Sequence, residues 1–203
     1  MRKLILLLTL IPLITTSYAQ RAYFTTGTNF SMFNFDSPMA MTTPLKSGTG
    51  ATFEMGMSKV LKSESLSYTI GLNLNEYNSV AGDFANSYTW NTKYMGVINS
   101  IDYSIGLFGK FRMMLQGGLN LSTIVYGKQS INGAYFDLIK QKEFSGLNIA
   151  PFAHLSIQLP IQDLGFLSVG YGINKSFFPM NSSQEKLSIT TNQLRFGIHF
   201  NIN

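Results

Sequence analysis

No cysteine occurs among the 203 residues. That excludes a disulfide framework, the usual support of small exported domains with thin cores. It also excludes attachment to lipid through an N-terminal cysteine. Charge is scarce as well: 15 Lys or Arg and 10 Asp or Glu make up 12% of the chain, against about a quarter in an ordinary soluble domain. Long apolar runs are missing. The longest, Leu4 to Ile14, is interrupted by Pro12 and is too short to cross ~30 Å of hydrocarbon as a helix. Greasiness does not replace the missing charge, since hydrophobic residues are 45% and the mean hydropathy is +0.10. What is abundant is uncharged polarity, with 61 Ser, Thr, Asn and Gln, together with 16 Phe and 10 Tyr. So many aromatics exclude intrinsic disorder.

Arg2 and Lys3 precede the apolar stretch, and Thr15-Thr16-Ser17-Tyr18-Ala19 follows it, with small residues three before and one before Gln20. This is the three-part build of a secretory signal peptide over residues 1–19, leaving 20–203 as the mature domain. Removing Arg2 and Lys3 lowers the formal charge from +5 to +3. The remaining basic residues are scattered, so a nucleic-acid partner is not expected despite a pI of 9.4.

The mature chain alternates with period two. Ala22, Phe24, Thr26, Thr28, Phe30 and Met32 interleave with Tyr23, Thr25, Gly27, Asn29 and Ser31. Leu66, Tyr68, Ile70, Leu72 and Leu74 interleave with Ser67, Thr69, Gly71, Asn73 and Asn75. The same pattern recurs from Ala51, Phe111, Leu147, Leu167 and Leu194, and less tidily from Met95 to Ile105, where Asn99 shares the apolar parity. Side chains of a strand point alternately to its two faces, so each segment predicts a strand with one apolar and one polar face. Several runs exceed the ~5–6 residues of a common soluble strand and reach the ~9–11 of a transmembrane one.

Connections alternate too. Short links fall at Leu61–Ser65, Gly106–Lys110 and Pro160–Leu164, and long polar ones at Asp36–Gly48, Ala81–Thr89, Lys128–Glu143 and Lys175–Ser188. Eight strands joined in this way place every short turn at one rim and every long loop at the other. A lipocalin-type barrel would hide apolar side chains inside and expose charge outside; here the apolar parity is almost free of charge. In hydrocarbon every backbone group must be satisfied internally, and a closed barrel achieves that without helices. The expected fold is therefore all-β: an eight-stranded antiparallel up-and-down transmembrane β-barrel with short periplasmic turns and long extracellular loops.

On this pattern, and on stretches such as Gly117-Gly118-Leu119-Asn120-Leu121-Ser122 and Leu167-Ser168-Val169-Gly170-Tyr171-Gly172-Ile173-Asn174, the mature chain resembles the small eight-stranded outer-membrane β-barrels of the OmpA/OmpX and PorT-like type. Leu194, Phe196, Ile198 and Phe200 of the final strand resemble the C-terminal signal read by the barrel-insertion machinery, although Asn201-Ile202-Asn203 follow where that family usually ends on an aromatic. The resemblance implies residence in the outer membrane of a Gram-negative-type cell, with its lipid and that machinery as partners. PorT-like proteins assist secretion, which implies another envelope protein complex as a further partner. With three residues after Phe200, no cell-wall-binding domain is expected.

Six ionisable residues fall on the polar parity away from the long loops: Glu54, Asp102, Arg112, His154, Arg195 and His199. Eight strands leave an interior that side chains fill, and buried charges there must pair. Asp102 and Arg112 flank a short turn on one face, so they are expected to lie together in a structural salt-bridge plug rather than along an ion path, with no open pore.

His154-Leu155-Ser156 offers an enzymatic alternative. Eight-stranded lipid A deacylases carry a His-x-Ser pair in which His removes the proton of an attacking Ser. Here both residues have the lumen-facing parity, and no Asp or Glu stands on the following strand. Two histidines 45 positions apart without cysteine predict no metal site, and Gly117-Gly118 lacks the helix N-terminus that a phosphate loop needs. No cofactor is expected.

Tyr77, Tyr88, Trp90, Phe33, Phe35 and Tyr126 near the long-loop ends, and Tyr103, Phe108, Phe111 and Phe166 near the short turns, predict two aromatic girdles at the headgroups. The loops beginning at Asp36 and Lys128 mix polar with apolar residues and are candidates for partner contact. The expected role is structural, surface-binding or that of a complex subunit, without catalysis.

Overall fold

Among the described residues the alternating apolar and polar segments fold into strands, with no helix between them. The computed structural model describes residues 20–36, 45–61, 65–82, 87–107, 109–162, 164–179 and 186–202. Residues 1–19, over which a signal peptide is expected, and residues 37–44, 62–64, 83–86, 108, 163, 180–185 and 203 lie outside them. The strands are β1 (Gln20–Asp36), β2 (Lys46–Val60), β3 (Leu66–Gly82), β4 (Ser87–Gly106), β5 (Arg112–Ile131), β6 (Ala134–Asp137), β7 (Asn148–Ile161), β8 (Gly165–Phe177) and β9 (Lys186–Ile202). Each neighbour pairs antiparallel, from β1 through β5 and then β7, β8 and β9, and β9 returns to β1 over its whole length. The result is a closed eight-stranded barrel, with β6 a short return strand on the upper part of β5.

The outer face carries the apolar parity. Phe24, Met55, Leu72, Val97, Leu119, Leu155, Val169 and Phe196 are all exposed. This belt runs from Leu66 to Leu74 on β3 and from Ile105 to Met95 on β4, lengths that match the ~9–11 residues of a tilted membrane crossing. Asn99, the polar residue in the belt, accepts a hydrogen bond from the Tyr68 hydroxyl at 2.7 Å, which satisfies part of its amide within the wall.

Above the belt the strands continue but their polarity inverts. On β3 the outward residues change from Leu72 and Leu74 to Glu76 and Asn78, while the inward ones change from Asn73 and Asn75 to Tyr77. On β9 the outward Phe196 and Leu194 give way to Asn192 and Thr190, and the inward Arg195 and Gln193 give way to Ile189 and Leu187. The lower barrel is thus polar inside and apolar outside, and the upper barrel is built the way a water-soluble one is. Phe33, Tyr77, Tyr94, Ile124, Leu138, Phe144, Phe178, Leu187 and Ile189 form one buried apolar cluster in the upper lumen, with Phe35, Leu45 and Trp90 packed against it.

This cluster corrects two expectations. Phe33, Phe35, Tyr77 and Trp90 belong to an internal plug, not to a membrane girdle, because they share the inward parity of Tyr23 or of Asp102. Tyr88 stacks on Trp90. At the other end Phe166 also points inward, whereas Tyr103 and Phe111 are exposed. Phe108 lies outside the described residues.

The second correction concerns the connections. Lys128–Glu143 is not a plain loop. β5 continues to Ile131, and Asn132 and Gly133 turn the chain with φ of 49° and 87° before β6 begins. Positive φ at both central residues is the type I′ hairpin geometry that Asn-Gly favours. After β6 the chain folds back and sets Leu138 and Phe144 into the plug. β3 and β4 likewise extend to Gly82 and Ser87, so the connection expected over Ala81–Thr89 shrinks and the short-long alternation is not strict.

Candidate functional site

The lower and middle lumen is lined by the inward parity of eight strands. Inward glycines admit the bulkier members: a Cβ at Gly172 would collide with the His154 ring, and one at Gly71 with the Tyr23 hydroxyl. Where the sequence places six ionisable residues on one face, the structure brings five of them into or beside one hydrogen-bonded chain. Arg195 Nη2 on β9 donates to Glu54 Oε2 on β2 at 2.7 Å, with side chains 10% and 5% exposed. Arg195 Nη1 donates to Gln116 Oε1 at 3.3 Å and also touches His154 Nδ1. His154 Nδ1 lies 3.0 Å from the same Gln116 oxygen.

From Gln116 the chain passes to β4 and β3. Its Nε2 donates to Ser100 Oγ at 3.0 Å, Ser100 donates to Asp102 Oδ1 at 2.9 Å, and Thr69 donates to Asp102 Oδ2 at 2.5 Å. Residues of β2, β9, β7, β5, β4 and β3 are thereby joined across the lumen. His199 stands beside this chain, its Nε2 3.0 Å from Ser168 Oγ and its ring stacked on Tyr23.

Arg112 is the exception. The expected Asp102–Arg112 pair does not form, because β4 and β5 set Asp102 opposite Gln116 and Arg112 opposite Gly106, nearer the rim. Arg112 lies instead over the Phe166 ring at 5.3 Å, and Arg21 lies over the same ring at 5.0 Å. Asp102 takes its hydrogen bonds from hydroxyls. The linking residues Thr69, Ser100 and Gln116 escape a sequence search for charge; their signal is the polar parity of their own strands, Thr69 with Ser67 and Asn73, Ser100 with Asp102, and Gln116 with Arg112.

A second polar layer lies higher. Gln193 Nε2 donates to Asn29 Oδ1 at 2.7 Å, Asn29 Nδ2 donates to the Glu76 and Ala51 carbonyls at 2.9 and 3.1 Å, and Thr52 donates to Asn75 Oδ1 at 2.7 Å. Side-chain amides that satisfy backbone carbonyls here hold three strands in register.

His154 and Ser156 are successive inward residues of one strand, and no hydrogen bond joins them: His154 is occupied by Gln116 and Arg195, and Ser156 Oγ has no partner. The pair sits in the lumen, away from the apolar exterior. Among the described residues no three of His, Asp and Glu cluster as metal ligands would. Leu194, Phe196, Ile198 and Phe200 all face outward on β9, and the register continues unbroken through Ile202, which pairs with Gln20.

Outside the lumen, Lys93 Nζ meets Glu76 Oε1 at 2.6 Å on the first outward row above the apolar crossing. The hydrogen bond from Lys93, aided by one from the Ala51 N–H at 3.1 Å, holds the Glu76 carboxyl below its ordinary range despite partial burial.

Among solved structures the barrel is similar to that of Neisserial surface protein A, with 12% identity and a TM-score of 0.54 over 89% of this chain and 97% of that one. It is also similar to the outer membrane protein OprG from Pseudomonas aeruginosa, with 12% identity and a TM-score of 0.50 over 91% and 95%. The shared feature is the fold, that of the small eight-stranded outer-membrane β-barrels. No protein-family model and no curated protein matches the sequence.

Proposed function

We propose that the chain is an integral outer-membrane protein, exported by its N-terminal segment, whose barrel is a sealed scaffold without catalytic activity. Its role is structural, surface-binding or that of a subunit in a larger envelope complex. The observation that carries this reading is the division of the lumen. The apolar plug of Phe33, Tyr77, Tyr94, Leu138 and Phe144 fills the long-loop end, and the Glu54–Arg195–His154–Gln116 chain crosses the middle. A conducting pore would need a continuous polar path, and the plug interrupts it. The charge-poor belt supports residence in lipid, where Lys or Arg near midplane costs about 2–4 kcal/mol.

The long-loop end is the surface left for a partner. There the β5–β6 hairpin presents Tyr135 and Phe136 to the exterior. Neisserial surface protein A, whose barrel is similar, is by its name a surface protein, in keeping with a surface role. A lipid-modifying enzyme built on His154 and Ser156 is less well supported, since the two side chains are not hydrogen-bonded and face the lumen. Purified protein inserted into planar bilayers is expected to give no steady channels; stable conductance would overturn the sealed scaffold. Purification in mild detergent tests the subunit role, because a lone monomer would exclude a stable complex.

A further inference from the structure

The two ends of the lumen are closed by different means. The long-loop end holds a packed cluster of nine apolar residues. At the short-turn end, among the described residues, the Phe166 ring of β8 is reached by Arg21 from β1 and by Arg112 from β5 on the opposite side of the barrel, and its cross-strand neighbour His199 stacks on Tyr23. A packed cluster yields only by losing many contacts at once. A single side chain held by two cation–π contacts yields by changing rotamer.

Between these closures lies a cavity of about 40 Å³, lined by Tyr23, Glu54, Ser156, Gln158 and Arg195 among others. Four of its polar atoms have no direct partner: the Tyr23 hydroxyl and Glu54 Oε1 on one wall, Ser156 Oγ and Gln158 Oε1 across from them. Tyr23, Glu54 and Gln158 are 6%, 5% and 2% exposed, so bulk solvent does not satisfy them. The volume suits on the order of three waters, each needing two to four polar partners. Two of the four atoms accept only, so an occupant must donate. A charged occupant is disfavoured from both sides, since Glu54 and Asp102 meet an anion while Arg195 and Arg21 meet a cation.

We propose that the lower lumen is a vestibule for water and small neutral hydrogen-bond donors, entered past Phe166 at the short-turn mouth and blind at the long-loop end. This rests on the sealed-scaffold reading and adds a direction to it. Occupants enter and leave by the same mouth, so the vestibule exchanges without conducting.

The cysteine-free chain permits a clean test. Ser156→Cys, and Ser58→Cys as a second reporter on the cavity wall, are introduced into the full chain, with folding checked by heat-modifiable electrophoretic mobility. Each thiol is reacted with methyl methanethiosulfonate and followed by mass. Two cation–π contacts of the exposed kind amount to roughly a tenfold bias toward the closed ring, so Phe166→Ala is expected to speed labelling by about that factor. Phe144→Ala is expected to leave the rate unchanged, and Ser176→Cys, fully buried opposite the plug residue Ile189, is expected to react more slowly than either reporter. Labelling unaffected by Phe166→Ala, or accelerated by Phe144→Ala instead, would overturn the proposal. Steady conductance of the unmodified protein would refute the sealed scaffold separately.

Discussion

Glu76 and Lys93 face each other across β3 and β4, Oε1 to Nζ at 2.6 Å, on the row where the outside of the barrel changes from apolar to polar. One row lower stand Leu74 and Met95, and one row higher Asn78 and Asn91. The pair therefore marks the upper border of the belt. At the same level the lumen changes in the opposite sense, from Asn75 and Gly96 to Tyr77 and Tyr94.

The ion pair has a pH signature of known sign. Because the folded carboxyl of Glu76 titrates below its ordinary value, its contribution is present above the unfolded pKa and is lost as pH falls through the folded one. Lys93 is 40% exposed, so the contribution is small, ~0.2–1 kcal/mol. Denaturant unfolding of Glu76→Gln is expected to show that deficit near neutral pH and none once the carboxyl is protonated. A deficit independent of pH would show that the ion pair is not its source.

Breaking the central pair has a larger effect. Glu54→Gln leaves the Arg195 guanidinium buried without its counter-charge, an arrangement that costs about 3–5 kcal/mol. Replacing both partners with apolar residues of similar size, Glu54→Leu with Arg195→Met, is expected to recover most of the loss. Unfolding midpoints of the single and double variants in one detergent decide the matter.

The plug predicts a cavity-type loss. Phe144 reaches the upper lumen from the segment after β6 and packs against Phe33 at 5.8 Å between ring centroids. Phe144→Ala is expected to cost ~3–5 kcal/mol while β-sheet circular dichroism of the folded state stays unchanged. A loss below about 0.5 kcal/mol, typical of open surface, would mean that the segment does not hold the plug in place.

The belt predicts a dependence on height. Val97 and Thr89 share one strand and the outward face, Val97 within the belt and Thr89 above it. In liposomes, Val97→Lys is expected to destabilise by about 2–4 kcal/mol and Thr89→Lys by about 0–1. Equal effects at the two heights would argue against lipid around the lower barrel.

The parity of the sequence carried most of the fold, because side-chain alternation is a local property of extended backbone. Leu72 and Asn73 declare opposite faces without reference to any other strand. The same rule also contained the plug: Tyr77 has the parity of Asn73 and Asn75, and Phe33 that of Asn29 and Ser31. A search for aromatics near loop ends takes them for a girdle, whereas counting faces places them inside. The β5–β6 hairpin was legible too, in Asn132-Gly133 between alternating residues, the strongest short-range hairpin signal. Charge scarcity hid the site's uncharged half, since Thr69, Ser100 and Gln116 are ordinary residues until strands bring them to Asp102.

By itself, then, the sequence determined that strands form, which face of each is apolar, and that Glu54, Asp102, Arg112, His154, Arg195 and His199 share the interior. Only the tertiary structure decided which of them meet. Glu54 and Arg195 are 141 positions apart and touch because the barrel closes β9 onto β1. Asp102 and Arg112, close in sequence, stay apart because the register of β4 on β5 places Arg112 at the rim. Facing is fixed by the bonds of a single residue and its neighbours; pairing across the lumen is fixed by register and closure, which no one strand specifies.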